Sequence, residues 1–398
     1  MNWLLIIVII LALLVIIRLI RILELVSDLG GEDETQITTK DNKLNSGLML
    51  LFLIVGVFLS IYLTFDYREV LLPVSAALHG PEIDVLFNVN MIIIGLVFFI
   101  TQIGLFYFAY KYRYKKNHKA YFYPDNHKLE FIWTLIPTIV LAGLIFYGLT
   151  VWNNLTQQAP ENSMEIEVYG RQFNWLTRYS GDDHTLGAAS FDLLSPVNEL
   201  GVLAPAAIDS QIAYVRSQIS DIEVQMAGLK SDEADRETEL MKRLSNFKAQ
   251  VSRLFAMKNS YENNAIVNAG MDDIITRELH LPVNKTVLMK LRSQDILHSA
   301  YLPHFRVQMN TVPGMLTSFH FTPTITTEKM REITKNPDFD YVLLCNKICG
   351  VAHYNMNMKV VIHEEDDFNR WLNDQKNTTA TQPANSPDTT AVSITAIN

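Results

Sequence analysis

Apolar residues in this chain are segregated, and that segregation limits its architecture more than any other feature. Four uncharged runs fall in the first 160 or so residues: Trp3 to Ile17, Ser46 to Phe65, Val85 to Tyr110, and Phe131 to Pro160, whose apolar part ends near Trp152. A helix crossing about 30 Å of hydrocarbon needs about 20 residues. The last three runs meet that length. The first is cut short by Arg18, but Leu19 and Ile20 prolong it if Arg18 snorkels to the interface. A signal peptide is the alternative for this run. It lacks a basic segment ahead of it and a small-x-small cleavage site between Arg18 and Asp28, so a retained helix is the expectation. Four membrane helices are therefore expected, two over residues 1–66 and two over 85–155.

Basic residues are unevenly shared among the loops. Lys111, Arg113, Lys115, Lys116, Lys119 and Lys128 crowd the third loop, Arg18, Arg21, Lys40 and Lys43 flank the first, and the second carries only Arg68. The positive-inside rule then puts loops one and three in the cytoplasm and both termini outside. Everything after Trp152 is exported, which in a bacterium is the periplasmic face of the inner membrane. A net charge of −9 shows no basic stripe for nucleic acid. Two cysteines cannot build a disulfide scaffold.

From Met164 onward the pattern shortens. Met164 to Tyr169, Glu278 to Leu281 and Leu316 to Phe321 alternate, and Tyr341 to Leu344 and Lys359 to Ile362 are apolar runs of strand length. This predicts an all-β sandwich or barrel over 161–376. One segment departs from it. Ile208, Ile212, Val215, Ile219, Ile222, Met226 and Leu229 are spaced alternately four and three apart, and Leu240, Leu244, Phe247, Val251 and Leu254 repeat the pattern. Two helices sharing a heptad seam follow, an antiparallel hairpin over 206–262 with its break between Gly228 and Asp235. Spacer, lid and docking arm are all open for it. Residues 377–398 are mostly Thr, Asn, Ser, Ala and Pro and read as a disordered tail.

Both cysteines lie in one motif, Cys345-x3-Cys349-x3-His353-x2-Met356. Alone, in an oxidising compartment, the pair would read as a disulfide. With His353 and Met356 at these spacings it becomes a soft donor set suited to copper. Met358 competes as the thioether, but it begins the next apolar run. A loop this short needs a second histidine from elsewhere. His298, at the end of a strand expected over Thr286 to Leu291, is the best candidate, with His304 and His320 as alternatives.

With these residues in view, the chain resembles subunit II of haem–copper cytochrome c oxidase. The cysteine loop resembles that family's CuA loop, and Asp295-Ile-Leu-His298-Ser299, followed by Val312-Pro-Gly314, resembles its other ligand segment. Leu129 to Pro137 resembles the start of an anchor helix, and Tyr169-Gly-Arg-Gln-Phe-Asn-Trp175 the aromatic strand near the copper. The first two helices and the helical hairpin lie outside the resemblance.

The resemblance implies a cupredoxin-like Greek-key barrel with two coppers. Cys345 and Cys349 would bridge both ions, His298 and His353 would bind one each, and Met356 and the carbonyl of Lys347 would be weak ligands. Electrons would come from a c-type cytochrome and pass to haem in subunit I, where oxygen reduction and proton translocation reside. The chain would be one subunit of that enzyme, without a catalytic centre of its own. Phe173 and Trp175, read as alternating onto one face, would be contacts for electron uptake, with barrel packing the alternative for both. Glu130 would stand at the mouth of a proton channel, or complement a helix N-terminus. Lys347 replaces a carboxylate that helps hold magnesium in the family, so that site is expected to be lost or changed. Intact copper ligands argue against a quinol-oxidase relative, and no room remains for the propeller of a nitrous-oxide reductase. The extra helices and the hairpin are read as docking a donor complex into a fixed supercomplex.

Overall fold

The computed structural model describes residues 38–68, 72–115, 118–119, 121–195, 198–229, 234–261 and 270–381, together with 11, 14–22, 25 and 26. It divides into two units, Met1–Leu72 with Asn88–Ala142, and Pro73–Phe87 with Gly143–Asn398.

Three helices are long and apolar enough to cross a membrane: α1 (Thr39–Asp66), α2 (Gly80–Lys111) and α3 (His127–Leu155). Thr38 caps α1, its side chain accepting the Asp41 N–H at 3.1 Å. Asn126 does the same for α3 through the Leu129 N–H at 3.1 Å. Such caps satisfy backbone donors that a helix leaves free at its start. Phe52, Phe58, Ile92, Ile100, Ile139 and Phe146 are exposed. Apolar surface on every side of a helix suits lipid. The first apolar run falls largely outside the described residues, of which 14–22 are helical.

The second unit is built on two five-stranded sheets. Its strands are β1 (Met164–Arg171), β2 (Asn174–Tyr179), β3 (Ile274–Thr276), β4 (Leu279–Pro282), β5 (Val287–Ser293), β6 (His298–Leu302), β7 (Val307–Thr311), β8 (Thr317–Phe321), β9 (Tyr341–Cys345) and β10 (Asn357–His363). The first sheet has the order β3-β2-β1-β5-β8 and the second β4-β10-β9-β6-β7. Only β1–β5 and β4–β10 are parallel among these pairings. This is a cupredoxin-like sandwich with Greek-key crossovers. Alternation fills the space between the sheets: Val287, Met289 and Leu291 point in from β5, Leu343 and Cys345 from β9, and Met358, Val360 and Ile362 from β10. Tyr179 stitches the sheets together, donating its hydroxyl to the His280 carbonyl at 3.0 Å and accepting the His280 N–H at 2.7 Å.

Between β2 and β3 the chain leaves the sandwich as α4 (Pro205–Ala227) and α5 (Ala234–Tyr261). Asp209, near the start of α4, pairs with Lys258, near the end of α5, so the helices are antiparallel. Ile208, Ile212, Val215 and Leu254 are buried along the seam. The segment leading to α4 covers the outer face of the first sheet. Beneath it Arg178 binds Glu167 at 2.6 Å and Asp273 at 2.7 Å, with both acids nearly unexposed. Burial pushes the Asp273 carboxyl up to about 6, against the pull of Arg178.

After β8 come a short helix α6 (Thr327–Thr334) and a final helix α7 (Glu365–Thr381). The expected disordered tail needs correction at its start, because α7 runs beyond Lys376. Glu365, Asp366 and Asp367 in its first turn complement the helix dipole, and Phe368 and Trp371 pack it onto the barrel. Residues 382–398 lie outside the described residues.

Candidate metal centre

One end of the sandwich gathers the sulfur residues. Inward alternation along β9 makes Cys345 its last core-facing residue. The Cys345 N–H donates to the Met356 carbonyl at 3.1 Å, closing the β9–β10 loop at its base. Ala300 of β6 pairs with Cys345, and His298 lies two residues back along the same strand. Strand geometry thus delivers His298 beside the loop.

Ligand atoms of His298, Cys345 and Cys349 lie within 4.8 Å of one another, and all three residues are buried. Cys345 Sγ is 3.9 Å from Cys349 Sγ and 3.9 Å from His298 Nδ1. Cys349 Sγ is 3.5 Å from His353 Nδ1 and 3.6 Å from Met356 Sδ. The Lys347 carbonyl oxygen is 3.2 Å from Cys345 Sγ. The sulfurs are much farther apart than a disulfide, about 2.05 Å. Metal–thiolate bonds of about 2.3 Å, two of them end to end, exceed the 3.9 Å gap. Both sulfurs therefore reach a common ion, and the donors are soft. Burial, then the nearby Cys345 sulfur, pushes the Cys349 thiol up to about 11. Proton loss from this pair is costly unless a cation compensates it.

Asp295 and Gln172 support these residues, and neither stood out in the sequence. Asp295 Oδ1 is 2.8 Å from His298 Nε2, which leaves Nδ1 facing the sulfurs. Burial raises the Asp295 carboxyl, but the Gln172 N–H, the His298 ring and the Ile296 N–H outweigh it and hold the carboxyl low. Two glycines make room. A Cβ on Gly170 would lie 2.9 Å from Trp175 Cζ3 and 3.1 Å from His298 Cδ2. Gly350, at φ +135°, would bring one to 2.9 Å from Phe173 Cζ.

His298 is the first residue of β6, not the end of the preceding strand, which stops at Ser293. His304 lies instead against Phe339 and Tyr341, and His320 is on β8, so neither joins the cluster. Met358 is in the core, accepting from the Thr177 hydroxyl at 3.6 Å. Phe173 and Trp175 pack against the same core cluster, Phe173 half-buried and Trp175 buried. Phe173 belongs to the β1–β2 turn, where alternation lapses, and covers Gly350. Trp175 is 2% exposed, edge-on to His298 at 5.9 Å. That burial makes Trp175 a packing residue and removes it as a surface contact. Lys347 is exposed on the loop. Glu130 is in the first turn of α3, 3.1 Å from His127 Nδ1.

Two family models match the chain: the transmembrane domain of cytochrome c oxidase subunit II over residues 68–151, and its periplasmic domain over residues 260–364. The alternative cytochrome c oxidase subunit 2 of Bradyrhizobium diazoefficiens is 29% identical over 297 residues, which is 74% of this chain and 80% of the relative. Cytochrome c oxidase subunit 2 of Thermostichus vulcanus is 23% identical over 316 residues, 79% of this chain and 80% of the relative. The crystal structure of the periplasmic domain of subunit II of cytochrome oxidase from Bradyrhizobium japonicum is 16% identical. It covers 56% of this chain and 99% of that one, with a TM-score of 0.28. All but the last two residues of the helical hairpin fall between the two matched segments.

Proposed function

The chain belongs to the cytochrome c oxidase subunit II family, and from that premise we propose that it receives electrons from a c-type cytochrome at a two-copper centre and hands them to haem in subunit I. Electron transfer within a terminal oxidase is the family's part in an oxidoreductase complex. Reduction of oxygen to water, coupled to proton translocation, belongs to partner subunits. The carrying observation is the convergence of His298, Cys345 and Cys349, with His353 and Met356 beside them.

In this reading Cys345, Cys349, His298 and His353 would hold two coppers, with Met356 and the Lys347 carbonyl as weak outer donors. Bound copper supplies a one-electron couple. The protein keeps the donors still and dry: His298 is wholly buried and Met356 is 1% exposed. Asp295 fixes the ring orientation of His298. Ile348, Val351 and Tyr354 project from the same loop, each at least 88% exposed. Apolar surface of this kind suits protein partners. Phe173, beside the loop, is the proposed contact for electron uptake.

Glu130 is proposed at the mouth of a proton path on the cytoplasmic face, with the β-domain on the periplasmic side of the inner membrane. The hairpin α4–α5 is proposed to dock a donor complex. Donor-driven oxygen uptake and complex assembly should both fall when 206–262 are deleted, and unchanged values would remove that role.

The deciding experiment uses the full chain, purified in detergent with copper, with metal content and copper EPR measured together. Two coppers per chain sharing one electron give a seven-line hyperfine pattern. A four-line pattern from a single copper, or no bound copper, would overturn the reading.

A further inference from the structure

The turn joining β1 to β2 contains only Gln172 and Phe173, and Arg171 and Asn174 pair across its base. An Arg171 Nε to Asn174 Oδ1 hydrogen bond of 2.8 Å tightens it further. From this short turn Gln172 reaches two segments of the metal centre at once. Its backbone N–H donates to Asp295 Oδ2 at 2.7 Å, and the other oxygen of that carboxylate holds His298 Nε2 at 2.8 Å. Its side-chain Nε2 donates to the carbonyl of Cys349. His298 is on β6 and Cys349 is in the β9–β10 loop, so residues far apart in sequence are referred to one point.

The two ligands differ in how firmly the fold holds them. His298 begins a strand paired with β7, and His298 itself pairs with Thr311. Cys349 is in no strand. Asn346 N–H ties the start of its loop to the Ser299 carbonyl of β6 at 2.9 Å, but beyond Cys349 the backbone hydrogen bonds are local: His353 N–H to Gly350 at 3.2 Å, Asn355 N–H to Ala352 at 3.0 Å and Met356 N–H to His353 at 3.1 Å. Gln172 ties the Cys349 carbonyl to a different element. Gly350 permits the approach, since a Cβ there would lie 2.9 Å from Gln172 Nε2.

We propose that Gln172 is a positioning residue for the metal centre, a clamp that sets the His298 arm and the Cys349 arm relative to each other. The proposal rests on the two-copper reading. Gln172→Ala removes the side-chain arm and leaves the backbone arm in place. Gln172→Glu keeps the length but replaces an N–H donor with a carboxylate facing a carbonyl. Gln172 is itself exposed, so neither change opens a cavity in the core.

The test compares full-length wild type and both variants, copper-loaded in detergent. It reads copper retention against a competing chelator, the EPR hyperfine pattern, the midpoint potential, and the melting of the copper-free chain. Copper retention is expected to fall about tenfold or more, the usual effect of removing an outer hydrogen-bond partner of a ligand. The EPR pattern and potential should shift while copper-free melting holds. A merely structural role would lower the melting and leave the potential of loaded protein unmoved. A normal wild-type centre with unchanged variants overturns the clamp alone. A wild type without a two-copper signal overturns the copper reading and the clamp with it.

Discussion

Gly170→Ala reaches the metal centre without replacing any of its proposed ligands. The added methyl would sit 2.9 Å from Trp175 Cζ3, 3.1 Å from His298 Cδ2 and 3.4 Å from Thr311 Oγ1. Carbon atoms prefer separations of about 3.5–4.0 Å. Reaching even the near limit requires Trp175 to withdraw by about 0.6 Å and His298 by about 0.4 Å. Neither ring has solvent to retreat into, at 2% and 0% exposure. Overpacking of this kind costs about 1–3 kcal/mol. Loss of glycine's freedom in the unfolded chain offsets about 0.4–1 kcal/mol of that. A net destabilisation of about 1–2 kcal/mol follows. The effect on the site is larger. Asp295 holds the Nε2 edge of His298, so a push on Cδ2 turns Nδ1 away from Cys345, and sites of this kind tolerate only about 0.5 Å. Copper retention should fall about tenfold. Copper content, EPR and melting temperature of the full chain check this. Wild-type values for all three would refute the packing argument.

Arg306→Ala should destabilise the β-domain by about 1–3 kcal/mol, because it leaves the half-buried Asp84 without bonds of 2.7 and 3.0 Å, and Asp84→Leu in the same chain should recover part of the loss; thermal melts decide. Burial, helped by Arg306, pushes the His304 imidazole down to about 4. The unfolded ring takes its proton near pH 6.5. The stability from keeping His304 neutral is therefore complete above about pH 6.5 and drains away as pH falls toward 4. Melting temperature followed over that range should fall less steeply in His304→Gln, and parallel curves would exclude the assignment. Met356→Leu should keep two coppers and raise or lower the midpoint potential, whereas Met358→Leu should leave the potential alone; the reverse result would exchange the two methionines.

The heptad seam was legible because a helical hairpin packs mainly on itself, so its pattern owes little to the rest of the chain. Cys345 was legible for a related reason: it opens a motif, Cys345-x3-Cys349-x3-His353-x2-Met356, contained in one loop, so its spacing owes little to the rest of the chain. β2 and β6 were not. The segment before α4 covers the outer face of β2, and Trp175, Leu176, Thr177, Arg178 and Tyr179 are all buried. A strand buried on both faces loses the period of two that identifies it. At Phe173 the strand gives way to a turn, so alternation does not carry through to Trp175; Phe173 is half-buried against the core and Trp175 lies edge-on to His298. Asp295 and Gln172 have no periodic signal at all. Each is an ordinary polar residue until β1, β6 and the β9–β10 loop meet, and only then does one bond to His298 and the other to the Cys349 carbonyl. Gly170 and Gly350 are the extreme case. A glycine in a sequence states that a side chain is missing, and what the gap admits, here an indole, an imidazole and an amide, comes from other strands.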